Sequence, residues 1–484
     1  MLGRRPALLA VLAAAAAAAP PRRPVPRGSH SWAPWPRGPR LRLSDVARGR
    51  TPAAARAPPY LPWRAVLELV RAGGPNRRLG LVQGQHIFVR GGGYRLLRNG
   101  LIRVRIPWQF VDEGEAAWAR DRFDDGWWMA VLRRLGVPFK AVVELSRRAT
   151  DEQHAAHAIR LVQRCGPDAV IVGNELNAVD LRPRVDAAAE IERYLDRYAA
   201  IHAAVRAEAP ATQIQLYGEA YDGDPRDRGA FLRRVLAALR RRGLPPPDTA
   251  GIHVYDPAEA LPARVAGYRR LLADFGLTIP VAVEELGPRQ GVIDRFEAGR
   301  LADQPARDAG RYASRLAEVH GHGWLTESEH AELVPQQLAT AAASADQAQI
   351  FCAIDFADEL HTRRGLVSGE YDRPRPALEA FAFTQRLLNE PAEIELTSAA
   401  EQGGVATVRV VRRDGLTALV HWSAPAGGEG GEGGAPARSI PVPPYTWVYD
   451  ARGELVLAPQ AYPQTLVLPA ATTAEAGGAV RIFL

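Results

Sequence analysis

The chain has 484 residues, of which 47% are hydrophobic and 24% are charged, a balance typical of soluble globular proteins with a large core. The net charge is +7, carried almost wholly by arginine, since Lys140 is the one lysine. The basic residues form no block with interleaved aromatics, so nucleic acid is not an expected partner. The two cysteines are too few for a disulfide framework, and no Cys/His cluster has metal-ligand spacing, so neither a metal nor a cofactor is predicted.

The first 59 residues differ in composition from the rest. Arg4 and Arg5 precede an apolar stretch, Ala7–Ala19, that is short for a bilayer span and ends in small residues, which predicts a signal peptide over residues 1–19. An uncleaved anchor or a disordered leader is the alternative. Residues 20–59 are rich in Pro and Arg and are predicted to form a disordered tether. No later segment is apolar for long enough to span a membrane, so a secreted or periplasmic location is expected.

Residues 60–388 alternate short apolar runs with amphipathic stretches, which predicts buried parallel strands separated by helices. The predicted strands are Leu79–Gly84, Leu101–Pro107, Phe139–Leu145, Asp168–Asn174, Gln213–Gly218, Ala250–Val254, Ile279–Glu285 and Gln349–Phe356. The predicted helices are Phe123–Leu135, Asp151–Arg164, Val185–Glu208, Asp227–Arg242, Pro257–Phe275 and Val334–Ala343. Eight such units predict an α/β fold, the (β/α)8 TIM barrel. An open doubly wound sheet is the alternative, but it calls for a glycine-rich turn directly after the first strand, and Gly91–Gly93 are too distant.

Residues 389–484 have a different pattern of short β-prone runs separated by turn residues. The predicted strands here are Glu393–Leu396, Val405–Arg412, Thr417–Trp422, Thr446–Tyr449, Leu455–Leu457 and Thr465–Leu468. This pattern predicts a small antiparallel, β-sandwich-like domain after the barrel.

Two of the predicted barrel strands end in carboxylates. The fourth ends in Asn174 and Glu175, and the seventh ends in Glu284 and Glu285. A barrel brings the C-terminal ends of its strands to one rim, so the two positions are expected to converge. Each glutamate alone could be a solvated residue at a strand end. Together they match glycoside cleavage, in which one carboxylic acid protonates the leaving oxygen and a carboxylate about 5 Å away attacks the sugar carbon.

Further segments appear in the same order as in a known group of enzymes. Asn174-Glu175, Glu285 followed after one residue by Gly287, the Arg105 strand followed by Trp108, and His253-x-Tyr255 together resemble clan A of the glycoside hydrolases, TIM-barrel retaining glycosidases. The resemblance covers residues 79–388. It implies a carbohydrate substrate and hydrolysis of O-glycosidic, β-linked bonds of an oligo- or polysaccharide by double displacement.

The resemblance also implies roles for individual residues. Glu175 is the implied acid/base and Glu285 the implied nucleophile, with Glu284 as its rival. Strand alternation favours Glu285, because it places Glu284 on the opposite face. The mechanism needs Glu285 ionised, and Arg105 and Tyr255 are the neighbours expected to keep it so.

The supporting residues have alternative structural interpretations. Asn174 is expected to contact the sugar 2-hydroxyl. His253 is expected to line the floor of the site, although a core histidine is an equal alternative, and Arg105 could instead form a structural ion pair.

Sugar rings present apolar faces, so aromatic side chains near strand ends are candidate platforms, with core packing as the alternative. The candidate substrate contacts are Trp108, Asn177, Glu219, Tyr221, Asp355 and Phe356. Clan A often has a tryptophan on the eighth strand where this chain has Phe351–Phe356, and Phe356 is the predicted substitute. Residues 288–327 are long enough to form a lid or a cleft wall.

Two other functions are compatible with these residues. One is a catalytically silent barrel that binds carbohydrate. The other is a polysaccharide lyase or transglycosylase, in which His253 and Tyr255 would supply the base.

Overall fold

In a computed structural model of the protein, Tyr60–Leu484 form one compact unit. The predicted signal peptide and tether lie outside the described residues. The structure describes residues 76–82, 101–106, 138–143, 145, 149–179, 187–220, 229–288, 291–293, 324–352, 364–368, 373–389, 391–397, 404–413, 415–423, 438–444, 446–452, 455–457, 460, 463–468 and 480–484.

Eight parallel strands close into a barrel, which confirms the predicted fold class. In chain order the barrel strands are β1 (Leu79–Val82), β2 (Leu101–Ile106), β3 (Phe139–Val143), β4 (Ala169–Val172), β5 (Gln213–Ala220), β6 (Thr249–Val254), β7 (Val281–Leu286) and β10 (Gln347–Ile350). Two short strands lie between β7 and β10 in the chain and outside the barrel, β8 (Gly291–Ile293) and β9 (Trp324–Thr326). Closure occurs at β1, which pairs with β2 on one side and with β10 on the other. Strands β8 and β9 form a separate parallel pair within the long segment after β7.

The barrel strands form where the sequence has short apolar runs, because both faces of each strand are covered. Every residue of β1, β3, β4, β6 and β7 is buried. The eighth barrel strand, β10, begins two residues before the predicted run and ends at Ile350, and residues 353–356 of that run lie outside the described part.

The described helices lie between the strands or directly after the last one. They are α1 (Asp151–Cys165), α2 (Ala187–Glu208), α3 (Ala230–Arg241), α4 (Leu261–Ala273), α5 (Glu327–Ser344) and α6 (Pro376–Leu387). Thr150 and Gln153 form a capping box on α1, and Thr326 and Glu329 form one on α5. The predicted helix Phe123–Leu135 lies outside the described residues. Among the helices described here, none is long and apolar enough to cross a membrane.

After the barrel the chain forms antiparallel sheets. The strands are β11 (Val367–Ser368), β12 (Arg373–Pro374), β13 (Pro391–Thr397), β14 (Val405–Arg412), β15 (Thr417–Ser423), β16 (Arg438–Val442), β17 (Val448–Asp450), β18 (Leu455–Leu457), β19 (Gln464–Leu468) and β20 (Arg481–Phe483). β13, β14, β15, β20, β17 and β18 form one sheet in that order, and β16 pairs with β19. Val405, Ile440, Val442 and Leu468 share one core between these two sheets, so the predicted β-sandwich-like domain is confirmed.

Candidate active site

Glu175 follows β4 in an unusual backbone conformation. Its φ is +45°, a left-handed value that non-glycine residues adopt at a cost of about 1 kcal/mol or more. The Glu175 N–H donates to the carbonyl of Gly218 at 2.9 Å, and Asn174 pairs with the same glycine of β5. These contacts with the neighbouring strand hold the strained residue in place. Strained backbone of this kind concentrates at functional sites.

A β-bulge positions Glu285. The register between β6 and β7 shifts so that Ile252 lies opposite Val283, whereas His253 lies opposite Glu285. The core residues Val281, Val283 and Leu286 pack with the helices, which leaves Glu284 and Glu285 together on the other face of the strand. The regular alternation expected from the sequence is therefore wrong at this point, because the extra residue changes the face of Glu285.

Glu284 occupies the barrel interior below the rim. Its carboxylate lies 3.6 Å from the ammonium group of Lys140 on β3, and both side chains are buried. β3 and β7 are on opposite sides of the closed barrel, so these side chains can meet only inside it. Lys140 also donates to the amide oxygen of Gln215 at 3.0 Å. Glu284 is therefore a buried residue of the barrel core, where it contacts Lys140.

His253 on β6 lies between the two candidate catalytic glutamates. Its Nδ1 is 2.8 Å from Glu175 Oε1 and 3.4 Å from Glu285 Oε2. A ring nitrogen that faces two carboxylate oxygens carries the proton, so Nδ1 is the donor in this arrangement. The three atoms lie within 4.8 Å of one another. His253 is fully buried at this position, next to both glutamates.

The two glutamates differ in exposure. The side chain of Glu175 is 36% exposed, whereas that of Glu285 is 10% exposed. Solvent can therefore reach the Glu175 carboxylate more readily than the Glu285 carboxylate. Glu285 is more enclosed and is held by neighbouring protein groups.

Tyr255 is the second residue that holds Glu285. Its hydroxyl donates to Glu285 Oε2 at 2.5 Å. Burial raises the pKa of Tyr255 well above its ordinary value, and the charge of Glu285 raises it further, while Arg364 acts in the opposite direction. The phenol therefore stays protonated and remains a hydrogen-bond donor at neutral pH.

The rim around this pair includes residues that the sequence did not single out as site residues. The Arg364 guanidinium carbon lies 4.5 Å from the centre of the Tyr255 ring, a cation–π distance. Phe351 meets the same ring edge-on at 6.0 Å and is partly exposed. Gly218 leaves room for His253, since an added Cβ would lie 2.2 Å from its Nε2. No periodic pattern marks these three positions, because each depends on contacts between different strands.

Asn177 fastens the segment after β4 to the end of β5. Its amide donates to the Ala220 carbonyl at 2.6 Å and accepts from the Ala220 N–H at 3.0 Å. Both ends of the amide are thus engaged with backbone. This arrangement assigns Asn177 a structural contact beside the site.

Glu219 does not join the glutamate pair. It is 1% exposed and accepts a 2.5 Å hydrogen bond from Tyr217, whose ring packs against Tyr194 of α2 and Phe231 of α3. Glu219 therefore lies in the layer between the sheet and the helices. The predicted sugar contact is replaced by a buried hydrogen bond, because Gly218 and not Glu219 faces His253.

The remaining predicted residues cannot be placed. Arg105 lies in β2, but its side chain is outside the description. The residues wholly outside the described part are Trp108, Tyr221, Asp355 and Phe356.

Glu175, His253 and Glu285 could also ligate a divalent cation, since all three offer a ligand atom at one point. His253 Nδ1 would first have to lose its proton. In the structure this nitrogen instead lies within hydrogen-bond distance of both carboxylates.

Solved structures with a similar fold include glycoside hydrolases. The chain is similar in structure to a glucosidase from Croceicoccus marinus, with 12% sequence identity over 85% of this chain and 96% of that chain and a TM-score of 0.57. It is also similar to a family 39 glycoside hydrolase from Bacteroides cellulosilyticus WH2, with 13% identity over 88% of this chain and 82% of that chain and a TM-score of 0.52. The chain therefore shares its fold with these two glycoside hydrolases. No protein-family model matches the sequence, and no curated protein sequence matches it.

Proposed function

We propose that the protein is a retaining glycoside hydrolase that cleaves β-linked O-glycosidic bonds of an oligo- or polysaccharide, with Glu285 as nucleophile and Glu175 as acid/base. The observation that carries this proposal is the His253 ring, which contacts both carboxylates and leaves their oxygens within 4.8 Å of each other. This close approach supports double displacement, for which the carboxyl groups lie about 5 Å apart, over inversion, for which they lie roughly 6.5–9.5 Å apart.

In the first step Glu285 Oε attacks the anomeric carbon while Glu175 donates its proton to the leaving oxygen. The glycosidic bond breaks and a glycosyl ester forms on Glu285. In the second step Glu175, now a carboxylate, removes a proton from water, which attacks the same carbon and releases Glu285. The configuration at that carbon is inverted twice and is therefore retained.

Neighbouring side chains orient the two glutamates and donate hydrogen bonds to them. The Tyr255 hydroxyl and His253 Nδ1–H both face Glu285, and together they stabilise its carboxylate before attack and after release. His253 also keeps Glu175 within reach of the same sugar carbon. Asn174, anchored on Gly218 beside Glu175, is proposed to contact the 2-hydroxyl of the sugar.

The test begins with a screen of aryl β-glycosides and polysaccharides, followed by Glu285→Ala on the best substrate. We expect this variant to lose hydrolysis by a factor of about 10⁴ or more while it still binds substrate, since the covalent step lacks its nucleophile. Azide, a small anion that fits the space of the lost carboxylate, should restore turnover of an aryl glycoside and give a glycosyl azide.

Glu284→Gln is the matched control, because Glu284 lies in the barrel core. It should lower thermal stability and keep turnover within a factor of about ten, since it leaves the rim intact. Loss of activity in Glu284→Gln with full activity in Glu285→Ala would contradict the assignment. Wild-type binding without turnover would indicate a silent carbohydrate-binding barrel, and an unsaturated product would indicate a lyase.

We also propose export, with residues 1–19 as signal peptide and a secreted or periplasmic enzyme as the product. The basis is the charged start and the apolar stretch that follows it. The mass of the mature protein from the periplasm or medium tests this, and a full-length intracellular product would contradict it.

A further inference from the structure

The segment that follows β6 connects the candidate active site to the rest of the molecule. It begins at Tyr255, which binds Glu285, and reaches Glu259 four residues later. Asp256 anchors its first half. The Asp256 carboxylate accepts from Arg264 of α4 at 2.5 Å, and the Asp256 carbonyl accepts from Gln337 of α5 at 3.4 Å.

The second half of this segment is held by the C-terminal β-domain. Trp422 on β15 donates its indole N–H to Glu259 Oε1 at 2.6 Å. Trp422 is 1% exposed and is one of the largest fully buried side chains among the described residues. A short hydrogen bond to an acidic group that is shielded from water is stronger and more directional than an exposed one.

The β-domain reaches the same segment by a second route. The N–H of Val480, the residue before β20, donates to Glu332 Oε2 of α5 at 2.6 Å. Helix α5 packs against β13, β14 and β15, and its Gln337 is the residue that contacts Asp256. The sheet is thus connected to both halves of the segment, directly through Glu259 and indirectly through α5.

We propose that the C-terminal β-domain is a positioning element of the active site, in which Trp422 acts through Glu259 to hold Tyr255 against Glu285. This inference rests on the proposed glycosidase function. It assigns the domain a role that differs from a separable carbohydrate-binding module. Trp422 contacts neither the reacting atoms nor the glutamate pair, so its effect passes through the Tyr255–Glu259 backbone.

A shift of this segment would move the hydroxyl that holds the nucleophile. Reaction rates are sensitive to such shifts, since a displacement of about 1 Å by a distant change can cost about a hundredfold in rate. Ground-state binding of the sugar depends on many other contacts. The turnover number should therefore respond more than the Michaelis constant.

The test is Trp422→Phe in the full-length protein, assayed on the aryl glycoside selected by the substrate screen. This variant keeps an aromatic ring and loses the N–H donor. We expect kcat to fall about tenfold and KM to change by less than about twofold, in protein shown to be folded by circular dichroism. A kcat within twofold of wild type in folded Trp422→Phe would overturn the proposal.

Two further comparisons separate positioning from general destabilisation. Val420→Ala leaves a cavity in the same strand and retains the indole donor of Trp422, so it should lower the melting temperature and leave kcat near the wild-type value. Glu259→Gln retains an acceptor oxygen and should keep several-fold more turnover than Glu259→Ala. If Glu259→Gln and Glu259→Ala are equally active, or if Val420→Ala lowers kcat as much as Trp422→Phe, the hydrogen bond has no positioning role.

Failure of this inference is distinguishable from failure of the proposed function. If the wild-type protein hydrolyses no glycoside and Glu285→Ala changes nothing, the proposed function fails. If the wild type turns over substrate, Glu285→Ala does not, and Trp422→Phe equals wild type, only the positioning role is wrong.

Discussion

His253 is the side chain on which the geometry of the site depends. It is fully buried on β6. It lies between strand β7, which carries Glu285, and the loop after β4, which carries Glu175, and its Nδ1 faces both carboxylates. The ring fits only because residue 218 has no side chain. The distance between the two glutamates is thus set by a rigid ring supported by a strand on each side.

The acid role of Glu175 predicts a dependence on the leaving group. In Glu175→Gln no proton can be donated, so substrates with poor leaving groups should lose about a thousandfold or more in kcat/KM. An aryl glycoside with a strongly acidic phenol departs without protonation and should lose far less in the first step. Rates with a series of phenols measure this slope, and equal losses for all phenols would contradict the role.

The hydrogen bond from Tyr255 predicts an effect on the nucleophile. Tyr255→Phe removes the hydroxyl that contacts Glu285, and kcat/KM should fall by about 10- to 100-fold. Tyr198→Phe is a matched control, since it removes a buried hydroxyl that donates to the Pro245 carbonyl on the helix side. Steady-state kinetics of both variants test the assignment, and equal activities would exclude a specific role for Tyr255.

The sequence indicated both glutamates but not how they are arranged. Two apolar runs that end in carboxylates are apparent from the amino-acid sequence alone. The bulge that turns Glu285 inward is not visible, because a bulge is set by pairing with β6. Contacts with Tyr255 and His253, and not strand alternation, therefore favour Glu285 over Glu284 as the nucleophile. Arg364 and Phe351 carry no pattern signal, since they meet Tyr255 only after the barrel closes.

At the level of elements, the interior of the barrel predicts a stability effect. Lys140→Met removes the ammonium group that faces the buried Glu284 carboxylate, and the free energy of unfolding should fall by about 3 kcal/mol. Urea denaturation measures this change. The double variant Lys140→Met with Glu284→Gln should recover part of the loss, because the buried charge is gone as well. A double variant less stable than Lys140→Met would show that the pair does not interact in this way.

Strands were more predictable than helix ends. The apolar runs predicted all eight barrel strands, since a strand that is buried on both faces consists mostly of apolar residues. Helix α5 begins at Glu327, before the predicted start at Val334, because the capping box of Thr326 and Glu329 forms its first turn and Pro335 lies inside the helix. Strands β8, β9, β11, β12, β16 and β20 and helix α6 were not predicted. β20 is three residues long and is inserted between β15 and β17, a position that only long-range pairing defines.

At the scale of the whole molecule, the buried Glu332 beside the β-domain should make the folded protein less stable as the pH rises. Burial raises the pKa of Glu332 to about 7, an effect that Asp450 increases and that the Val480 N–H, Arg481 and Arg452 oppose. The folded protein thus holds this proton more tightly than the unfolded chain. The stabilisation is complete below about pH 4.5 and is lost as the pH rises to about 7, a difference of about 3 kcal/mol.

Three buried histidines act in the opposite direction. Burial lowers the pKa of His157 and His421 to about 4 and that of His330 to about 3, so each contributes stability above pH 6.5 that is lost as the pH falls. Comparison with Glu332→Gln isolates the glutamate. Between pH 5 and 8 the wild type should lose about 3 kcal/mol of unfolding free energy relative to this variant. A constant difference across that range would contradict the assignment.

The central claim is that Glu175 and Glu285 converge closely enough for a covalent intermediate. The most direct measurement is the anomeric configuration of the first product, followed by proton NMR from the start of hydrolysis of the best β-glycoside. We expect the β-anomer to appear first and to equilibrate slowly with the α-anomer. Initial release of the α-anomer would require water to attack directly and would contradict the role of Glu285 as nucleophile.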